Sequence, residues 1–105
     1  MILKLYNICE ALEKRFPNNR DPFRILARLM EESGELADQV HLWEGVGRKR
    51  DSGRTPDEQE LAKEIKQVLL AALDMARYYG VEEQLEQSVN ASYERAVSEG
   101  LIPRD

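Results

Sequence analysis

Residues 30–38 read Met-Glu-Glu-Ser-Gly-Glu-Leu-Ala-Asp, so three glutamates and one aspartate fall within nine residues. Further along, Glu60 and Glu64 lie one helical turn apart. Carboxylates gathered in this way suit a hard divalent cation, which takes several oxygen ligands at once. At about 100° per residue, Glu31, Glu35 and Asp38 share one helix face opposite Leu26 and Val40. Glu32 is placed differently, because its neighbours along the helix surface are Ile25, Leu29, Leu36 and Trp43. Glu64 repeats the pattern, with Val68, Ala71 and Met75 on its face. A lone ionised carboxylate on a buried face costs several kcal/mol unless a cation compensates it. Two helices that each set a glutamate at the core edge point to one shared positive charge between them. The plainer reading stands beside this one: the same glutamates could face solvent or pair with Arg24, Arg28 or Lys63.

Competing chemistry is sparse. His41 is the only histidine and lies on the polar side of its helix, which disfavours a zinc or general-base role. Cys9 is the only cysteine, so neither an intramolecular disulfide nor a cysteine zinc site can form, and its apolar row makes it a packing residue. No Gly-x-Gly-x-x-Gly or phosphate-loop pattern occurs.

Four helices are needed to position these groups. Ile2, Leu5, Cys9, Leu12 and Phe16 recur at spacings of three and four until Pro17 stops the first helix. Asp21 caps the second, Pro22 takes its first position, and an apolar row runs Leu26, Leu29, Ser33, Leu36 or Ala37, Val40, Trp43. Residues 44–54 carry three glycines and no period, which makes them a loop. Thr55 and Glu58 stand at capping-box spacing around Pro56 and open the third helix, which carries Leu61, Ile65, Val68, Ala72, Met75, Ala76 and Tyr79. Gly80 ends it. The fourth holds Leu85, Val89, Ala96 and Val97 and runs to Gly100. No strand period appears, so the expectation is an all-α fold, a four-helix bundle forming one domain over residues 1–105. Leu70 and Leu73 lie nearly opposite the main row of the third helix, and a partner subunit could cover them.

The bulk numbers exclude several classes. Apolar residues at 42% and charged residues at 33% suit a soluble helical domain with a modest core. A net charge of -5 argues against polymeric nucleic acid as a partner, since that needs a basic face. An acidic chain that handles polyphosphate needs divalent cations to offset repulsion. The longest apolar run, residues 68–73, is far short of the ~18 residues a membrane span requires, so no membrane role is expected. The amino terminus is broken by Lys4, Asn7 and Glu10, does not read as a signal peptide, and leaves the cytoplasm as the expected location.

Glu31-Glu32-Ser33-Gly34-Glu35 resembles the Glu-Glu-x-x-Glu motif of the MazG-type nucleotide pyrophosphohydrolases, in the all-α NTP pyrophosphatase superfamily. Glu64-Ile65-Lys66-Gln67, followed by an apolar run, resembles their second motif, Glu-x-x-Asp. Order, spacing and helix-loop-helix context agree over residues 21–93. The resemblance implies a MazG-like helical bundle that assembles as a homodimer or homotetramer. It also implies hydrolysis of a nucleoside triphosphate to monophosphate and pyrophosphate with Mg2+, or Mn2+ in its place. Carried over by position, it makes Glu32, Glu35 and Glu64 metal ligands, and Glu31 a further ligand or the group that orients water. Gln67 departs from the pattern: it offers a neutral carbonyl where the family has aspartate, which lowers metal affinity. A non-catalytic or nucleotide-binding helical oligomer is therefore the alternative. Basic residues between the two acidic helices, Arg48, Lys49, Arg50 and Arg54, could fold over phosphates or stay solvated. Trp43 could stack on a base or pack in the core. Asn90 and Tyr93 fall where the resemblance puts nucleotide contacts.

Overall fold

The computed structural model describes residues 1–46 and 53–104, the side chain of Asn19 excepted. Among them there are four α-helices and no strand: α1 (Ile2–Arg15), α2 (Pro22–Trp43), α3 (Glu58–Tyr79) and α4 (Glu82–Ser98), with a 3-10 turn at Pro17–Asn19 after α1. The chain divides into two compact units, Met1–Met75 and Ala76–Asp105.

Local signals set most of the helix ends. Asp21 accepts from the backbone N–H groups of Phe23 at 2.7 Å and Arg24 at 3.3 Å, satisfying two of the donors that a helix start leaves open. Gly80 closes α3 at φ 65°, a left-handed conformation that a side chain would resist. Val81 N–H then reaches back to the carbonyl of Ala76, and Gly80 N–H to that of Arg77, which completes a Schellman cap.

The start of α3 differs from the capping-box expectation. Asp57, rather than Thr55, is the cap: its carboxylate accepts from Gln59 N–H at 2.8 Å and Glu60 N–H at 3.4 Å. Pro56 consequently precedes the helix. A carboxylate also meets the positive end of the helix dipole better than a hydroxyl does. Asp57→Ala should therefore cost about 1 kcal/mol in chemical denaturation, while Thr55→Ala should leave the midpoint nearly unchanged.

In the first unit, the buried apolar residues are Leu5 and Cys9 of α1, Ile25 and Leu42 of α2, and Leu70, Ala71 and Leu73 of α3. Cys9 is a buried packing residue, as its row suggested, and its thiol donates to the carbonyl of Leu70 at 3.4 Å. Two expectations are corrected. The row Leu26–Val40–Trp43 of α2 is largely exposed, and the buried face is the one that carries Ile25, Gln39 and Leu42. Both sides of α2 hold apolar residues, so periodicity alone could not choose between them. In α3, Leu70 and Leu73 are buried within this chain and need no partner to cover them, whereas Ile65 and Tyr79 are exposed.

The second unit holds Ala76–Tyr79 of α3 and all of α4. No residue of α4 is fully buried. Its end repeats the glycine device, with Gly100 at φ 78° and Leu101 N–H bonded to the carbonyl of Ala96.

Candidate acidic site

Three pairings fix how α2 faces α3 within the first unit. Arg28 meets Asp74, Glu32 meets Glu64, and Gln39 lines one cavity with Glu60. Partners that ascend along α2 descend along α3, so the two helices run antiparallel. The buried face of α2 carries Glu32 into this seam together with Ile25, Gln39 and Leu42.

Glu32 and Glu64 are both half-buried, and the Glu32 carboxyl lies close enough to act on that of Glu64. Burial pushes the Glu64 carboxyl above its ordinary range, and the neighbouring Glu32 carboxyl and then the charge of Glu35 push it further the same way. The Lys63 ammonium opposes them. Two carboxyl groups set close together in a partly desolvated place favour a proton or another positive charge between them. The second observation is an orphan: Glu64 Oε2 is buried and has no hydrogen-bond partner. A buried polar atom left unpaired costs about 1–3 kcal/mol, so it marks a place where something charged or polar is wanted.

The donor chemistry therefore suits a hard cation, being all oxygen and partly desolvated. The residues nevertheless stand short of a finished cage. Among the described residues, no group of three or more His, Cys, Asp or Glu side chains could hold a metal ion. Glu31 and Glu35 are exposed on α2, and the influence of Glu35 on Glu64 is that of its charge. Gln67 is half-buried on α3, one turn beyond Glu64.

Of the remaining residues singled out by sequence, Trp43 is 41% exposed at the last position of α2. Arg54 is exposed and lines a cavity of about 350 Å³ with Gln39, Leu42, Thr55, Asp57 and Glu60. Arg48, Lys49 and Arg50 lie outside the described residues. Asn90 and Tyr93 are exposed on α4, in the second unit.

The chain is 38% identical over 90 residues to the Uncharacterized protein YvdC of Bacillus subtilis (strain 168), an alignment that covers 82% of each chain. It belongs to the YvdC family. No protein-family model matches it, and no solved structure matches it. Membership of the YvdC family brings no activity with it, so the chemistry rests on the residues of the seam.

Two of those residues take places that the sequence reading did not give them. Gln39 is 2% exposed, and its Oε1, like Glu64 Oε2, is buried without a partner. Its signal was available: it lies two turns beyond Glu32 on the same face of a helix that otherwise buries Ile25 and Leu42 there. Asp74, 8% exposed, is bound by Arg20 and by Arg28, the latter at 3.5 Å. Arg28 thus serves Asp74 rather than the acidic motif one turn away. Among the described residues, no helix is long and apolar enough to cross a membrane.

Proposed function

We propose that this protein is a Mg2+-dependent nucleoside triphosphate pyrophosphohydrolase of the MazG type, releasing a monophosphate and pyrophosphate. The observation that carries the reading is the buried, unpaired Glu64 Oε2, with the Glu32 carboxyl acting on Glu64 from across the seam. Glu32, Glu35 and Glu64 would hold the cation, and Gln67 would add a neutral oxygen. Bound there, Mg2+ would polarise the phosphoryl oxygens and lower the pKa of the attacking water. The chain's own groups do the rest. Glu31, exposed beside Glu32, orients the water. Arg54 on the cavity rim meets the polyphosphate, with Arg48, Lys49 and Arg50 of the same loop as further phosphate contacts. Trp43 stacks on the base.

The assembly proposed is a homodimer or homotetramer. The open side of α2 supports it: Phe23 is 78% and Met30 66% exposed, with Leu26 and Val40 along the same helix. An apolar row of that extent is what a second helix covers.

The test is pyrophosphate release from a panel of NTPs and dNTPs with Mg2+ or Mn2+. Turnover is expected with at least one substrate, to be lost on chelation and increased by Gln67→Asp, which restores a charged ligand. A second reading, a nucleotide-binding oligomer without turnover, is favoured by Gln67 and by the lack of a pre-gathered set of three acidic ligands. No release from any substrate, and no gain on Gln67→Asp, would establish that reading instead.

A further inference from the structure

Among the described residues, Gln39 is the polar side chain buried most deeply, at 2% exposure, and its Oε1 has no hydrogen-bond partner. A buried acceptor left unpaired costs the fold its desolvation penalty, so the position wants a donor from outside the chain. Gln39 also lines a cavity of about 350 Å³ where the C-terminal half of α2 faces the start of α3. Leu42, 2% exposed, gives that cavity an apolar wall, and Glu60 is half-buried beside it. The volume lies at the lower end of small-molecule sites, about 300–1,000 Å³.

Two carboxylates line this cavity, and their duties differ. Asp57 is committed to the cap of α3, accepting from Gln59 N–H at 2.8 Å and Glu60 N–H at 3.4 Å. Glu60 caps nothing and brings its carboxylate to the space that Gln39 closes. A carboxylate only accepts hydrogen bonds, and the unpaired atom of Gln39 is also an acceptor. The inner wall therefore suits an occupant with two donors on one edge. Glu60 stands one turn, ~6 Å along α3, from Glu64. That offset is about the span of a ribose between a base and its first phosphate. Trp43 stands one turn beyond Gln39 on α2.

We propose that this cavity receives the nucleobase, and that Gln39 and Glu60 select bases with an exocyclic amino group, cytosine and adenine, over their keto counterparts uracil and hypoxanthine. The inference rests on the nucleotide reading of the seam and names the substrate class which that reading leaves open. An exocyclic amino group carries two N–H donors: one goes to Gln39 Oε1 and the other to the Glu60 carboxylate. Gln39 Nε2 donates to the adjacent ring nitrogen, cytosine N3 or adenine N1, which completes a two-bond fit. Uracil and hypoxanthine place a carbonyl oxygen where the amino group stood. Gln39 alone would not discriminate, because an amide turned over presents the reverse pattern. Glu60 decides the matter, since a carboxylate cannot donate and would face the carbonyl lone pairs in a partly desolvated place.

The experiment titrates the full chain with nucleosides in EDTA, read by backbone amide NMR, so neither phosphate nor metal is needed. Two pairs differ only along the edge in question: cytidine against uridine, and adenosine against inosine. The amino member of each pair is expected to bind about tenfold or more tightly, with amide shifts at Gln39, Leu42 and Glu60. Glu60→Gln supplies an amide that can turn to either base, and should bring uridine and inosine to within about threefold of their partners. Gln39→Leu should weaken cytidine and adenosine by about tenfold while its Tm stays at or above that of the wild type. Equal binding within the pairs, a keto preference, no binding of any nucleoside, or a preference that Glu60→Gln leaves unmoved would overturn the proposal. Pyrophosphate release with Mg2+ is measured alongside, where kcat/KM should favour CTP over UTP and ATP over ITP. No release from all four triphosphates, with the nucleoside preference intact, would remove the hydrolase and keep the base selection. Equal release from all four, with no nucleoside preference, would do the reverse.

Discussion

Glu64→Gln is expected to abolish pyrophosphate release and at the same time to make the metal-free protein more stable. The loss of activity should be about a thousandfold or more, because Lewis-acid stabilisation is worth several kcal/mol and each 1.36 kcal/mol is tenfold. The gain in stability has a separate origin. The folded Glu64 carboxyl sits above its ordinary range, through burial first and Glu32 next. A carboxyl raised in the folded state favours folding below its unfolded pKa of about 4.3, and that advantage is lost as pH rises through the folded value. At neutral pH, ionising Glu64 therefore works against the fold. Glutamine removes the charge, keeps a hydrogen-bond donor for Glu32, and should gain on the order of 1 kcal/mol, or about 4 °C in Tm. Thermal melts from pH 4 to 8 should show wild-type stability falling relative to Glu64→Gln as pH rises. Added Mg2+ should raise the wild-type Tm and leave the variant unmoved. A variant as active as the wild type would refute the hydrolase reading, and parallel pH profiles would remove Glu64 as the source of the strain.

Asp74→Asn is expected to be the more damaging change to the fold. The Asp74 side chain is 11% exposed, and those of its partners Arg20 and Arg28 are 21% and 41% exposed. Removing the carboxylate charge leaves two guanidinium groups crowded at a partly desolvated place. Breaking a buried pair from one side costs about 3–5 kcal/mol, and the exposure of Arg28 lowers this to about 2–3 kcal/mol. Urea denaturation should show that loss, with Tm down by about 10 °C. Arg28→Ala should cost less, because its contact is longer and its side chain wetter. The deficit of Asp74→Asn should persist in high salt, unlike that of a surface pair such as Lys14–Glu10.

Where the chain's instructions are local, they could be read directly. Asp21 before Pro22, and Gly80 after the last turn of α3, marked helix ends that the structure keeps, because a cap depends on residues within a few positions of itself. The restart at α3 was harder, since Thr55 and Asp57 both offer oxygen acceptors near Pro56 and only geometry chooses between them. Which side of a helix is covered is a question about its neighbours. Leu26, Val40 and Trp43 form as regular a row as Ile25, Glu32, Gln39 and Leu42, and burying the second set required α3 to lie against it. The acidic seam was legible for a related reason: Glu32 and Glu64 each interrupt an apolar face, an anomaly visible without coordinates. Gln39 was passed over because an amide carries no comparable pattern, and Asp74, two turns beyond Gln67 and so too far to stand in for it, showed no partner in the sequence. Their importance comes from what they meet across the seam.

The thiol of Cys9, 3% exposed and bonded to a backbone carbonyl of α3, has a consequence for handling the protein. A reagent added to the intact molecule finds no sulfur to attack, and modification waits for α1 to detach. The rate of alkylation thus keeps time with the opening of this corner, and the chain carries its own clock for local unfolding.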